Sequence, residues 1–295
     1  MREAKTMMGS AAARPETARG FSLIELIVVI TVISILGVSA MAFFRPALDS
    51  YFDTRRRADM SDMADSALRR MSREVRIAVP NSVQTYGTSC FRLVRTVGGG
   101  RYRKHEDMTR SGSKALDLTQ TPPHAFDVLS PLQAASVGDW LVIGNQTGSD
   151  VYAGNNRAAI TANNAVDAAL GTARLTMAAM NGTNAPFSYT DGRFVVVPKT
   201  NPVVTYVCNG AGVGATGTGT GTLRRIVGDF GGGDVLSACP TGGDLVARHI
   251  SACRFLYNPN AGATQQSGFV WMELELAEAN EKVRLAYGAH VVNLP

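Results

Sequence analysis

Hydrophobic and polar positions change rhythm twice along this chain. From Phe21 to Phe44 nearly every residue is apolar, and the only ionisable one is Glu25. A helix of some twenty such residues is long enough to cross a hydrocarbon core ~30 Å thick. After Pro46 the apolar residues Met60, Met63, Ala64, Ala67, Leu68, Met71, Val75 and Ala78 recur at three- and four-residue steps. That spacing predicts one apolar face of an amphipathic helix. The other face carries Arg56, Asp59, Asp62, Arg69, Arg70, Arg73 and Arg76, with the acids ahead of the arginine cluster, as the helix dipole favours. Pro80-Asn81-Ser82 marks its end. Both halves together predict one helix of roughly sixty residues, ~85 Å long at 1.5 Å per residue. Its outer half needs a packed head to cover the apolar stripe.

Beyond Ser82 the rhythm shortens to that of strands. Cys90–Val97 partly alternates, and Gly98-Gly99-Gly100 is expected to stop it. Asp139–Gly144, Arg174–Met177, Phe194–Val197 and Val203–Cys208 are short apolar or β-branched runs bounded by Gly, Asn or Pro. Residues 145–172 read as loops with one short helix near Val166–Leu170, and Gly210–Gly221 reads as a mobile low-complexity loop. The clearest pair of strands closes the chain. Val270, Met272, Leu274 and Leu276 alternate with Trp271, Glu273 and Glu275; after Ala277–Asn280, Lys282 and Arg284 alternate with Val283 and Leu285. Setting Glu275 against Lys282 and Glu273 against Arg284 also sets Leu274 against Val283 and Met272 against Leu285. The expected fold class is α+β: a long N-terminal helix packed on an antiparallel, β-rich head.

Composition adds limits. A length of 295 residues allows one large or two small domains. A net charge of +5 suits nearness to anionic surfaces without establishing nucleic-acid binding. The helix arginines alternate with core positions and lack nearby aromatic partners for base stacking, so a solvated or inter-subunit face is expected there. Arg2, Lys5, Arg14 and Arg19 precede the span and orient it with its C-terminal end outward. In an exported head, Cys90, Cys208, Cys239 and Cys253 are expected to form disulfides rather than a metal site. The spacing leaves the pairing open: Cys239–Cys253 with Cys90–Cys208, or Cys208–Cys253, stand equally.

The candidate chemistry lies where leader meets span. In Arg19-Gly20-Phe21-Ser22-Leu23-Ile24-Glu25 the small residue comes before the apolar run, whereas a secretory signal has its small cleavage site after it. A cut after Gly20 would remove the charged leader and leave the whole helix on the mature protein. A carboxylate inside an apolar span costs a few kcal/mol on insertion scales and calls for a partner. After the cut, the new α-ammonium of Phe21 would lie one turn away, within a chain or between staggered chains.

These residues resemble the class III signal of type IV prepilins and type II secretion pseudopilins. The resemblance implies that a membrane prepilin peptidase cuts after Gly20 and methylates Phe21, and that Glu25 acts in subunit docking. It also implies other pilins or pseudopilins and an inner-membrane assembly platform as partners. The domains would be a cleaved leader (1–20), a transmembrane and assembly half-helix (21–45), an amphipathic half-helix (46–79) and a periplasmic head (80–295). The kinking proline common in that family has only Pro46 as a counterpart, so the kink is absent or displaced. Arg69–Arg76, Pro80–Val83, Val204–Cys208, Ala252–Phe255 and His290–Pro295 further resemble MshO-type minor pilins of mannose-sensitive haemagglutinin pili. They overlap with J-type pseudopilins. A minor pilin at or near a filament tip is the function this implies, with a secretion pseudopilin or a tip adhesin as alternatives.

No enzyme is expected. Gly210–Gly221 lacks the Gly-Lys-Ser/Thr of a phosphate loop, and His105, His124, His249 and His290 are not at metal-ligand spacing from one another. The Cys239, His249, Cys253 spacing lacks a fourth zinc ligand. Asp229 and Asp234 flank Gly231-Gly232-Gly233 but offer too few oxygens for a calcium loop, so calcium stays a minor alternative and no cofactor is expected.

Overall fold

A computed structural model describes residues 20–180, 192–231, 233–261 and 267–292. The leader arginines, Gly232 and the last three residues lie outside these. Helix α1 runs Leu23–Arg76 with Pro46 inside it. The chain divides into two compact units, one ending at Thr54 and the other starting at Arg55.

In the first unit, helix α1 exposes every large apolar side chain from Leu23 to Phe52. It is the one helix among the described residues long and apolar enough to cross a membrane. Its hydroxyls turn inward on their own backbone: Thr31 donates to the Val28 carbonyl, Ser34 to Ile30 and Ser39 to Ile35, at 2.7–2.8 Å. That satisfies them without water.

In the second unit, the rest of α1 lays Met60, Ala64, Ala67, Leu68, Met71 and Val75 into a core of buried residues. This is the stripe its sequence predicts, and the fold is α+β as expected. The stripe covers a seven-stranded antiparallel sheet. In spatial order its strands are β1 (Gln84–Tyr86), β2 (Cys90–Val94), β9 (Val203–Asn209), β10 (Gly221–Gly228), β11 (Asp244–Ala261), β12 (Ser267–Glu278) and β13 (Glu281–Val292). A second, six-stranded antiparallel sheet runs β3 (Gly98–Arg101), β8 (Arg193–Val197), β5 (Trp140–Val142), β6 (Arg157–Asn164), β7 (Ala173–Met177), β4 (His124–Val128). Its two edges meet: Tyr102 bridges Val128, the Leu129 amide donates to Arg101 O and the Arg103 amide to Asp127 O. The sheet thus closes around Tyr102, Phe126, Leu141, Ile160, Met177 and Phe194, which removes its free edges.

Several expectations need correction. Gly98-Gly99-Gly100 does not stop a strand; it is one. A Cβ on Gly98 would strike the Gln133 carbonyl, and one on Gly99 would lie 2.7 Å from the Phe194 oxygen, so the glycines permit backbone-to-backbone approach. Residues 145–172 hold β6 and the short helix α2 (Asp150–Ala153), ended by Gly154 at φ 89°. Val166–Leu170 is no helix: the Asp167 carboxylate accepts the Ala169 amide and closes a turn instead. Gly210–Gly221 is tied to the terminal hairpin, with the Gly219 amide donating to Ala277 O at 2.8 Å and the Asn280 amide to Gly217 O at 3.2 Å.

That hairpin exists, but its register lies two residues from the predicted one. Leu274 faces Leu285, Glu275 faces Arg284 and Leu276 faces Val283. The reason is a tight turn: Ala279 and Asn280 both have positive φ, 50° and 71°, so two residues suffice to reverse the chain. A two-residue shift keeps every side chain on its face. The predicted charge partners still meet, now diagonally, with Lys282 Nζ 3.7 Å from Glu275 Oε1 and Arg284 Nη2 2.5 Å from Glu273 Oε1.

Candidate processing and assembly site

Gly20, Phe21 and Ser22 precede the first turn of α1. Ser22 caps it: its Oγ accepts the Glu25 amide at 3.2 Å, and its carbonyl accepts the Leu26 amide at 3.1 Å. Ser22 and Glu25 have the Ser-x-x-Glu spacing of a capping box, a signal present in the sequence but not used there. The cap leaves the Gly20–Phe21 peptide outside the helical hydrogen-bond ladder. Nothing lies within 4 Å of the position a Gly20 Cβ would take, and Phe21 is 79% exposed. A peptide bond in this state is open to an enzyme that must bind extended backbone. Glu25 sits in the first helical turn, where the dipole favours an anion. Among the described residues no cation pairs with it. The geometry therefore offers a free bond for cleavage, an apolar helix for packing and one unpaired carboxylate.

The four cysteines lie far from this segment in the chain, in the second unit, and all are paired. Cys90 bonds Cys239 and Cys208 bonds Cys253; the Cys239–Cys253 alternative is not formed. On the way to Cys253, β11 bulges between Ile250 and Ala252, just after His249 at φ 60°. Beyond it the Phe255 amide donates to Thr88 O at 2.9 Å. Cys239 and Cys253 thus belong to separate disulfides, so they do not join His249 in a zinc site. Asp229 accepts the Asn201 amide at 2.7 Å. Among the described residues no three His, Cys, Asp or Glu side chains come together as metal ligands.

Two polar clusters escape a reading of the sequence. Glu74, on α1, takes bonds from Arg225 (2.8 Å) and from the Tyr206 hydroxyl (2.8 Å). Burial, then the Glu74 carboxylate, hold the Tyr206 phenol un-ionised well above its usual range. In the second sheet Asp127 is fully buried between Arg174 (2.7 Å) and Arg103 (3.5 Å). Each joins residues distant in sequence, so only topology reveals it. Both fix structure: removing one partner of a buried ion pair leaves the other charge uncompensated, which is costly.

Residues 17–41 match a protein family described as the prokaryotic N-terminal methylation motif. No curated protein and no solved structure matches the chain. The chain carries the N-terminal methylation motif of the type IV pilin and pseudopilin superfamily, and the matched residues span Gly20, Phe21 and Glu25.

Proposed function

We propose that this chain is a prepilin whose mature form is a minor subunit of a type IV pilus. It is inserted in the inner membrane through 21–45 with its head outside. A prepilin peptidase cuts after Gly20 and methylates Phe21. The apolar helix then packs among similar helices of other pilins on an assembly platform, where Glu25 neutralises a subunit's new amino terminus and sets axial register. The head sits at or near the tip, and the role is structural rather than enzymatic. One observation carries this reading: an exposed apolar stretch, Phe21–Phe44, whose single ionisable side chain is the fifth residue after an exposed Gly20–Phe21 bond that the Ser22 cap holds outside the helix.

The test is Glu25→Val. The variant is expected to insert and to be cut, yet to be missing from sheared filaments on immunoblots; normal incorporation would overturn the role given to Glu25. The branch resembled by the head, MshO-type minor pilins, makes a pilus the first choice. A type II secretion pseudopilin is the second reading, since the motif serves both. Neighbouring genes for an outer-membrane secretin and secreted hydrolases without a major pilin would favour it.

A further inference from the structure

The head carries a cleft of about 510 Å³ between the end of α1 and the outer face of the second sheet, within the usual size of a ligand pocket. Its floor is apolar, from Ile77, Val142 and Val195, and its rim carries Arg76, Arg101 and Arg193. No carboxylate lines it. All three arginines are exposed, and among the described residues none pairs with an acid. Three buried or half-buried arginines of this head are matched, Arg103 and Arg174 on Asp127 and Arg225 on Glu74. Arg76 has a local reason, since a cation in the last helical turn suits the dipole. Arg101 and Arg193 have none. They face each other directly across β3 and β8, an arrangement of like charges that destabilises a sheet.

We propose that this cleft binds an acidic peptide segment of a partner protein, with carboxylates on Arg101 and Arg193 and an adjacent apolar side chain on the Ile77–Val142–Val195 floor. Guanidinium forks match carboxylates in two-point contacts. The apolar floor argues against a bare phosphate, which would leave it empty. A nucleic-acid strand would need exposed aromatic rings for its bases, and the one ring in the lining, Phe194, is buried.

The experiment uses the full chain in detergent and a short fluorescein-labelled peptide alternating glutamate and leucine, read by fluorescence polarisation. The peptide is expected to bind, its glutamine-for-glutamate counterpart about tenfold or more weakly, and Arg101→Gln or Arg193→Gln to weaken binding about tenfold each. Arg248→Gln, an exposed arginine outside the cleft, leaves binding unchanged. Each glutamine variant also melts no lower than the parent, because it relieves a like-charge pair. Four results would overturn the proposal: no peptide binding; equal affinity for both peptides; oligothymidylate or inorganic phosphate binding as tightly; or glutamine variants that misfold or melt lower, which would make the arginines structural.

Discussion

Ser22 has two consequences at the entrance to α1. It satisfies an amide that would otherwise be bare in lipid, and it holds Gly20 and Phe21 out of the helix. Because the space around Gly20 is open, Gly20→Val is expected to leave the fold intact and stop processing. Intact mass of the membrane-extracted chain would then show Met1 retained, with an unchanged melting curve. Residue-scale chemistry also sets an alkaline limit. Tyr152 donates to Ser82 O and Tyr206 to Glu74, both at 2.8 Å, and burial raises both phenols above the ordinary value of 10.0. A folded-state value above the unfolded one gives stability that is full below pH 10 and lost as pH rises through the folded value. The urea midpoint of the full chain is expected to fall between about pH 9 and about pH 11. Tyr152→Phe with Tyr206→Phe should flatten that fall while costing about 1 kcal/mol per lost hydrogen bond at neutral pH.

At the scale of elements, helix α1 behaves as two materials in one continuous ladder. Met71 is fully buried against the first sheet, so Met71→Ala is expected to cost about 2–5 kcal/mol in urea unfolding. Exposed Arg73→Ala should cost less than about 0.5 kcal/mol. The helix was readable from sequence because its apolar steps are uninterrupted. Strands β4, β10 and β11 were not. In β10 an inward position is Arg225, matched by Glu74 from the helix. In β4 the core residues Phe126 and Val128 flank Asp127, which is buried on the opposite face against Arg174 and Arg103, and in β11 His249 and the bulge break the alternation. Arg225 and Asp127 are matched by residues distant in the chain, which a local pattern does not contain. The hairpin register failed more narrowly, since charge matching alone tolerates a two-residue shift that the Ala279-Asn280 turn does not.

Across the whole molecule, the processing motif was legible because Gly20, Phe21 and Glu25 are neighbours in sequence. The rim of the arginine cleft was not, since Arg101 and Arg193 meet only when the second sheet forms. The same holds for the disulfides, which close spans of 149 and 45 residues. In the chain-entropy account their removal is expected to cost about 5 kcal/mol for Cys90→Ser with Cys239→Ser and about 4 kcal/mol for Cys208→Ser with Cys253→Ser. Urea unfolding without reductant measures the loss, and non-reducing peptide mapping checks the pairing. The partition of α1 also decides how this protein can be produced for crystallisation. Residues 55–76 form one wall of the interior, so a soluble version must begin ahead of Arg55. A cut at Pro80, where the sequence alone places the start of the head, would strip the cover from the first sheet and leave a sticky apolar slab facing water.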